Sequence, residues 1–230
     1  KSGLRTKEYS KSEDFNRELS KRLIKDIKRS ERILQKSGNL KHSIIQNDSL
    51  EMGTVLKKIL NKKTKQLLKK ACNNPLTHQQ LTKYYSNLFI TRKDINADKF
   101  QFKAQLDLLK LDKNILAASL SLSYKKTFYY LIPVIFDSEF QKYSPGRILL
   151  NMTISKAIEN GNKNIDFLIG EENYKKRFNG IKYPTYDIAV SFSNRGRFLG
   201  RIIQIYRQII SRIKHFKLLQ KILIKFYSFL

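Results

Sequence analysis

Apolar residues along this chain change their spacing at a few definite points, and those points mark out the elements. From Phe15, the positions Leu19, Leu23, Ile27 and Leu34 recur at helical spacing up to Gly38, which predicts one amphipathic helix. Residues 1–14 before it are polar and charged without a period and read as a mobile, flexible basic arm. Residues 38–46 suit a first strand, with Leu40 and Ile44 on one face. Asp48-x-x-Glu51 and Thr77-x-x-Gln80 have the spacing of capping boxes and open two further helices. The second of these turns Leu81, Tyr84, Tyr85 and Leu88 inward, and Asn73-Asn74-Pro75 is the loop between them. The period then drops to two. Phe100, Phe102, Ala104, Leu106 and Leu108 line one face of a strand, Leu116, Ala118, Leu120 and Leu122 line a face of the next, and Asp112-Lys113-Asn114 joins them as a hairpin. The other side of the second strand carries Ala117, Ser119, Ser121 and Ser123, small enough to admit a packed helix or a substrate.

Residues 129–178 hold a strand, a helix and a second strand in unbroken succession. The run 129–137 is apolar enough to be buried on both faces, as a central parallel strand must be. Pro133 inside it removes a ladder donor, which implies a bulge, a splayed neighbour or an edge position. Ser144 suits an N-cap and Pro145 the first helical position, so a helix is predicted through Ile148, Leu149, Met152, Ile154, Ala157 and Ile158 until Gly161. The strand 165–169 ends at Gly170, residues 171–178 open another helical turn, and a last strand over 183–192 alternates through Tyr186, Ile188, Val190 and Phe192. The helix start at 144–147 has free amides and the positive end of the peptide dipole, with Gly146 allowing close approach of a phosphate. On pattern alone, an anion site and a ligand-free helix start fit equally well. The order of elements predicts an α/β protein, an α+β mixed sheet in one domain over 15–196 with helical additions at both ends.

Charge adds a surface. The 46 Lys and Arg against 19 Asp and Glu give +27, and no acidic residue falls between Glu51 and Asp94. Lys57, Lys58, Lys62, Lys63, Lys65, Lys69 and Lys70 fall on more than one helical face and describe a cationic surface that attracts polyanions within about 8 Å at physiological salt, unless the lysines only solvate their helix. No zinc spacing, RNP-type motif or helix-turn-helix supports direct nucleic-acid readout. Residues 197–230 are basic, without an acid, and strongly amphipathic. Their apolar stripe fits the sheet, a second subunit or the headgroup boundary of a bilayer, and is broken by charge too often to span one. Cys72 cannot form an intramolecular disulfide, which points to a reducing, cytoplasmic setting, and His42, His78 and His215 have no metal-ligand spacing, so no metal is predicted.

Gln141-x-x-Ser144-x-Gly146 resembles the Q/R-x-x-G-x-G/A acyl-CoA signature of the GNAT acyltransferase superfamily, with Ser144 in place of the first glycine. Pro133 fits the splay that GNAT folds have at this strand, where the pantetheine arm enters. Phe136-Asp137, the run 143–150 and the run 165–175, with its Asp166, Gly170-Glu171 and Tyr174-Lys175, resemble the CelD/BcsL-like branch, loosely over residues 20–200. That branch is distantly similar to Fem-type enzymes, which use aminoacyl-tRNA, and many of its members carry an additional N-terminal region. A chain beginning at Lys1 therefore reads as a fragment or processed product.

The resemblance implies an N-acyltransferase moving an acetyl or longer acyl group from acyl-CoA to an amine on a small molecule, peptide or saccharide. It implies Gln141, Tyr143, Ser144, Gly146, Arg147 and Ile148 around the cofactor, and Asp137 and Lys175 near the substrate. Asp166 or Glu171 would serve as base or amine contact and Tyr174 as the acid for the departing thiolate. Against those roles stand a local cap or ion pair for Asp166 and a core position for Tyr174. An acidic carrier protein or aminoacyl-tRNA as donor, and a non-catalytic polyanion- or membrane-binding protein of the same fold, are the rival expectations.

Overall fold

In the computed structural model, which describes residues 2–5, 9, 11–46, 50–69, 80, 83–85, 102–137, 139–170, 172–185 and 192–213, the chain starts in the sheet. Ser2–Arg5 form strand β1, antiparallel to two later strands, where a mobile arm was expected. Backbone pairing and the burial of Leu4 hold it there, and one leucine in a polar run leaves no periodic trace. The predicted first helix is two. Helix α1, Ser12–Glu18, ends where Leu19 turns extended, and α2, Lys21–Ser37, begins with the Ser20 hydroxyl accepting from the Leu23 amide at 3.2 Å. Ser20 is a strong N-cap residue, so the chain restarts there while the apolar stripe runs on across the break. Phe15, Leu19, Leu23, Ile27 and Leu34 are all buried.

Strand β2, Leu40–Gln46, is followed by α3, Leu50–Lys69. Strands β3, Lys103–Leu111, and β4, Asn114–Tyr124, form the predicted hairpin, and β5 is Thr127–Ile135. A 3₁₀ turn at Phe140–Tyr143 leads into α4, Pro145–Glu159, and then β6, Asn164–Asp166, α5, Asn173–Arg177, and β7, Ile181–Lys182. The seven-stranded sheet has the order β2-β3-β4-β5-β6-β1-β7. Its parallel pair is β5 with β6, joined through α4. This is the mixed α/β sheet that the order of elements predicts.

Both faces of the sheet are covered. On one, Ile148, Leu149, Ile154 and Ala157 of α4 and the stripe of α1 and α2 pack on Leu109, Leu111, Ala117, Phe128 and Tyr130. On the other, Met52, Val55, Leu56, Ile59 and Leu60 of α3 pack on Leu106, Leu108, Ala118, Leu120, Ile132 and Val134. Each such side chain contributes about 1.5–3 kcal/mol of transfer free energy. The small residues of β4 thus lie on the face that α4 covers. In β2 the buried residue is Ile45, which joins the α3 side, while Leu40 leans on the α4 side. A strand covered on both faces cannot be assigned an inner face from Leu40 and Ile44 alone.

Lys1–Leu67 with Asn74–Pro184 form one compact unit and Leu68–Asn73 with Thr185–Leu230 a second. In the second, α6 spans Asn194–Ile213. Among the described residues no helix is long and apolar enough to cross a membrane. The first residues of both predicted capping boxes, the loop at 73–75, Leu81, Leu88, Cys72 and His78 lie outside the described residues, as do 186–191 of the last predicted strand and 214–230. Of that predicted strand, the described residues 183–185 are not extended into the sheet, whose edge is β7.

Candidate active site

The parallel pair comes apart. Thr127, Phe128 and Tyr129 are matched with Asn164, Ile165 and Asp166, and there β6 ends while β5 continues to Ile135. A shift of register between Leu120 and Ser121 sets Tyr130 opposite Ser121 and Ile132 opposite Leu120, so Leu131 bulges. Pro133 follows, both a bulge and a splay being present where its sequence position implied one or the other. Backbone polar groups of residues two apart point to the same strand edge. The carbonyls of Pro133 and Ile135 are met by α3: Lys63 Nζ donates to the first at 3.5 Å and Gln66 Nε2 to the second at 3.4 Å, while Lys62 Nζ reaches the Phe136 carbonyl at 2.8 Å. Pro133 therefore turns its missing donor toward the opening and costs no rung with β4. Lys62 and Lys63, expected on a cationic surface, are turned inward because these carbonyls have no strand partner.

The start of α4 stands at the top of the same strand. Ser144 occupies the N-cap position with Pro145 at N1, but its backbone is left-handed, φ 54° and ψ 51°, and its side chain makes no cap bond. The hydroxyl instead accepts from the Arg147 guanidinium at 2.5 Å, which fixes a cation at the helix start. A Cβ on Gly146 would stand 3.4 Å from Ile135 Cδ1 and Cγ1. The start of α4 thus sits close on the Ile135 side chain of β5, leaving little more than ordinary contact room for a side chain at this position. Ile148, predicted beside the cofactor, has its side chain wholly in the core, because it begins the apolar stripe of α4. Tyr143 packs on that core and Phe140, and Gln141 is exposed.

The predicted acids and bases fall differently from expectation. Asp166 is buried and its Oδ1 accepts from the Leu168 amide at 2.8 Å, bracing a residue at φ 61°. Asp137 Oδ1 accepts from the amides of Glu139 and Phe140 at 2.7 and 3.3 Å and starts the 3₁₀ turn. One oxygen of each carboxylate is engaged by the chain's own backbone, the usual local use of an Asp at a turn. Lys175, expected at the substrate, has a side chain only 3% exposed. Its ammonium donates to the carbonyls of Leu168, Ile169 and Gly170 at 3.4, 3.2 and 3.3 Å and pairs with Glu172 at 2.7 Å. It ties the 168–172 turn together. Gly170 sits at φ 128°, and a Cβ there would come within 2.4 Å of the Glu172 carboxylate. Burial alone would raise the Glu172 pKa, but the hydrogen bond and charge of Lys175, with help from Lys63, bring it below the ordinary carboxylate value. Glu171 lies outside the described residues.

Tyr174, expected as the acid, is partly buried and packs against the core. Its ring stands edge-on to Phe167 and Tyr130, with centroids 6.2 and 6.5 Å away. Burial, then the Glu172 charge, push its ionisation well above the usual phenol range, so the hydroxyl keeps its proton. Tyr130 is shifted the same way by burial, then by Tyr174 and Asp107, against the Ser119 hydroxyl.

Asp107 belongs to a polar strip that the periodicity did not single out. Fully buried on β3, it accepts from Gln105 Nε2 at 2.8 Å and meets His42 Nε2 at 3.0 Å. Ser119 and Ser121 complete it from β4, both fully buried. The signal was an acid two residues from Leu109 in an apolar hairpin strand, opposite small hydroxyls.

The described unit is thus a mixed α/β sheet whose parallel strand pair parts above its third rung, with a helix start seated on the longer strand. Residues 21–176, more than half of the chain, match the acetyltransferase (GNAT) domain, and the protein belongs to that family of transferases. No curated protein sequence matches the chain. Among the described residues no group of His, Cys, Asp and Glu is arranged to hold a metal ion.

Proposed function

We propose that this protein is an N-acyltransferase that takes an acetyl or longer acyl group from acyl-CoA and delivers it to a primary amine by direct attack. The observation that carries this reading is the parting of β5 from β6 after Tyr129 and Asp166, with the start of α4 above it. A pantetheine arm carries amide groups that suit the edge of β5 facing the gap once Lys63 and Gln66 release the Pro133 and Ile135 carbonyls, and a pyrophosphate suits the dipole of α4 and the Gly146 amide with Arg147 beside them. Gln141, Tyr143 and Ser144 border that helix start. In the reaction the amine nitrogen bonds to the thioester carbon as the carbon–sulfur bond breaks. Tyr174 gives its proton to the departing sulfur, and the proton shed by the nitrogen restores it. Glu171 or Asp166 is the proposed amine contact, Asp166 keeping one oxygen on the Leu168 amide.

The runs 143–150 and 165–175 favour the CelD/BcsL-like branch, distantly similar to Fem-type enzymes. The +27 charge favours a second reading in which the same site takes its acyl group from an acidic carrier protein or aminoacyl-tRNA. Thiol release and acyl-amine formation with acetyl-CoA, a long-chain acyl-CoA, an acyl carrier protein thioester and a charged tRNA separate the two. The first reading expects turnover with a CoA thioester and weak salt dependence. Turnover confined to a macromolecular donor, falling steeply with salt, would replace it by the second.

A further inference from the structure

We propose that α6 is a docking element for an anionic lipid surface and lies in the headgroup layer with its apolar face down. Phe198, Leu199, Ile202, Ile203, Ile205 and Ile209 are 67, 57, 47, 51, 57 and 50% exposed. At about 100° per residue these positions occupy one arc of roughly 160°. Phe192, just ahead of the helix, is 97% exposed. Single exposed apolar residues need no explanation, but a continuous helical face of this kind marks an interaction surface.

Charge decides what covers it. Helix α6 holds Arg195, Arg197, Arg201, Arg207 and Arg212 and no acid. After Asp187 the whole chain has no Asp or Glu, while Lys214, Lys217, Lys221 and Lys225 continue the basic series. Two copies meeting face to face would bring like charges together with no acid to pair them. A bilayer containing anionic lipid supplies both what the apolar arc needs and the counter-charge for the arginines. The helix is not long and apolar enough to cross, so it lies along the surface. The acetyltransferase unit is then held at a membrane, whatever its donor.

The test uses the full chain in a flotation assay with vesicles of phosphatidylcholine alone or mixed with phosphatidylglycerol. Binding is expected to the mixed vesicles at least about tenfold over the neutral ones and to weaken as salt is raised. Ile205→Glu with Ile209→Glu is expected to abolish flotation at unchanged circular dichroism, and Arg197→Glu with Arg201→Glu to reduce it to the neutral-vesicle level. Equal binding to both vesicle types, no binding to either, or a dimer in solution that the Ile205→Glu and Ile209→Glu changes dissolve would each overturn the proposal, the last in favour of a second copy of the chain.

Discussion

Replacing Tyr174 by phenylalanine is expected to slow acyl transfer by about 10²–10⁴-fold, the usual contribution of a positioned general acid. Acyl-CoA affinity should stay within about twofold, because the lost hydroxyl acts on the leaving sulfur in the transition state, not on the bound ground state. The substitution is informative because it leaves the fold alone. Both rings that Tyr174 meets, Phe167 and Tyr130, contact its aromatic edge and face, and phenylalanine keeps those contacts. Unchanged thermal stability is therefore part of the expected result. With a thiophenol-type leaving group, which departs without a proton, the variant should recover most of its rate. A loss smaller than about threefold with the natural thioester would reduce Tyr174 to a member of the aromatic cluster.

Lys175→Met has the largest expected effect on stability. Methionine retains the buried stem but removes the ammonium, leaving three carbonyls without their donor and the half-exposed Glu172 carboxylate to water. Losing a buried charged donor to backbone carbonyls costs about 1.5–3 kcal/mol, a sizeable share of the roughly 5–15 kcal/mol that stabilises a domain. Urea denaturation followed by circular dichroism measures it, and a change below about 1 kcal/mol would contradict the structural role. A pH series adds a second readout. Because the Glu172 pKa is lower in the folded protein than its ordinary 4.5, its contribution is present above that value and is lost as pH falls through the folded pKa. The Lys175→Met variant should lack this part of the acid limb.

The reasons for these two residues' different fates were only half visible in the sequence. Element type and order were legible wherever apolar spacing is unambiguous: the hairpin of β3 and β4, the strand–helix–strand of β5, α4 and β6, and the buried stripe of α1 and α2. Pro133 announced the distortion of β5 because a proline changes backbone hydrogen bonding directly. What could not be read were contacts between residues far apart in the chain. Strand β1 is held by backbone pairing across more than half the protein's length. Lys62 and Lys63 were read as part of a cationic surface or a solvated helix and prove to donate to carbonyls at the end of β5 and just after it. Asp137, Asp166 and Lys175 were named from their places in a resembling motif, and such a place says nothing of whether a backbone amide or carbonyl already holds the group. Gly146 was picked for close approach of a phosphate, and the neighbour its backbone meets is the Ile135 side chain.

The most direct measurement of the central claim is a calorimetric titration of wild type and Arg147→Glu with CoA and with pantetheine, which lacks the pyrophosphate. Wild type is expected to bind CoA more tightly than pantetheine, and Arg147→Glu to lose about 10–100-fold in CoA affinity while pantetheine affinity stays unchanged. Equal binding of both ligands by wild type, or CoA affinity indifferent to the charge reversal, would contradict an acyl-CoA site at the start of α4.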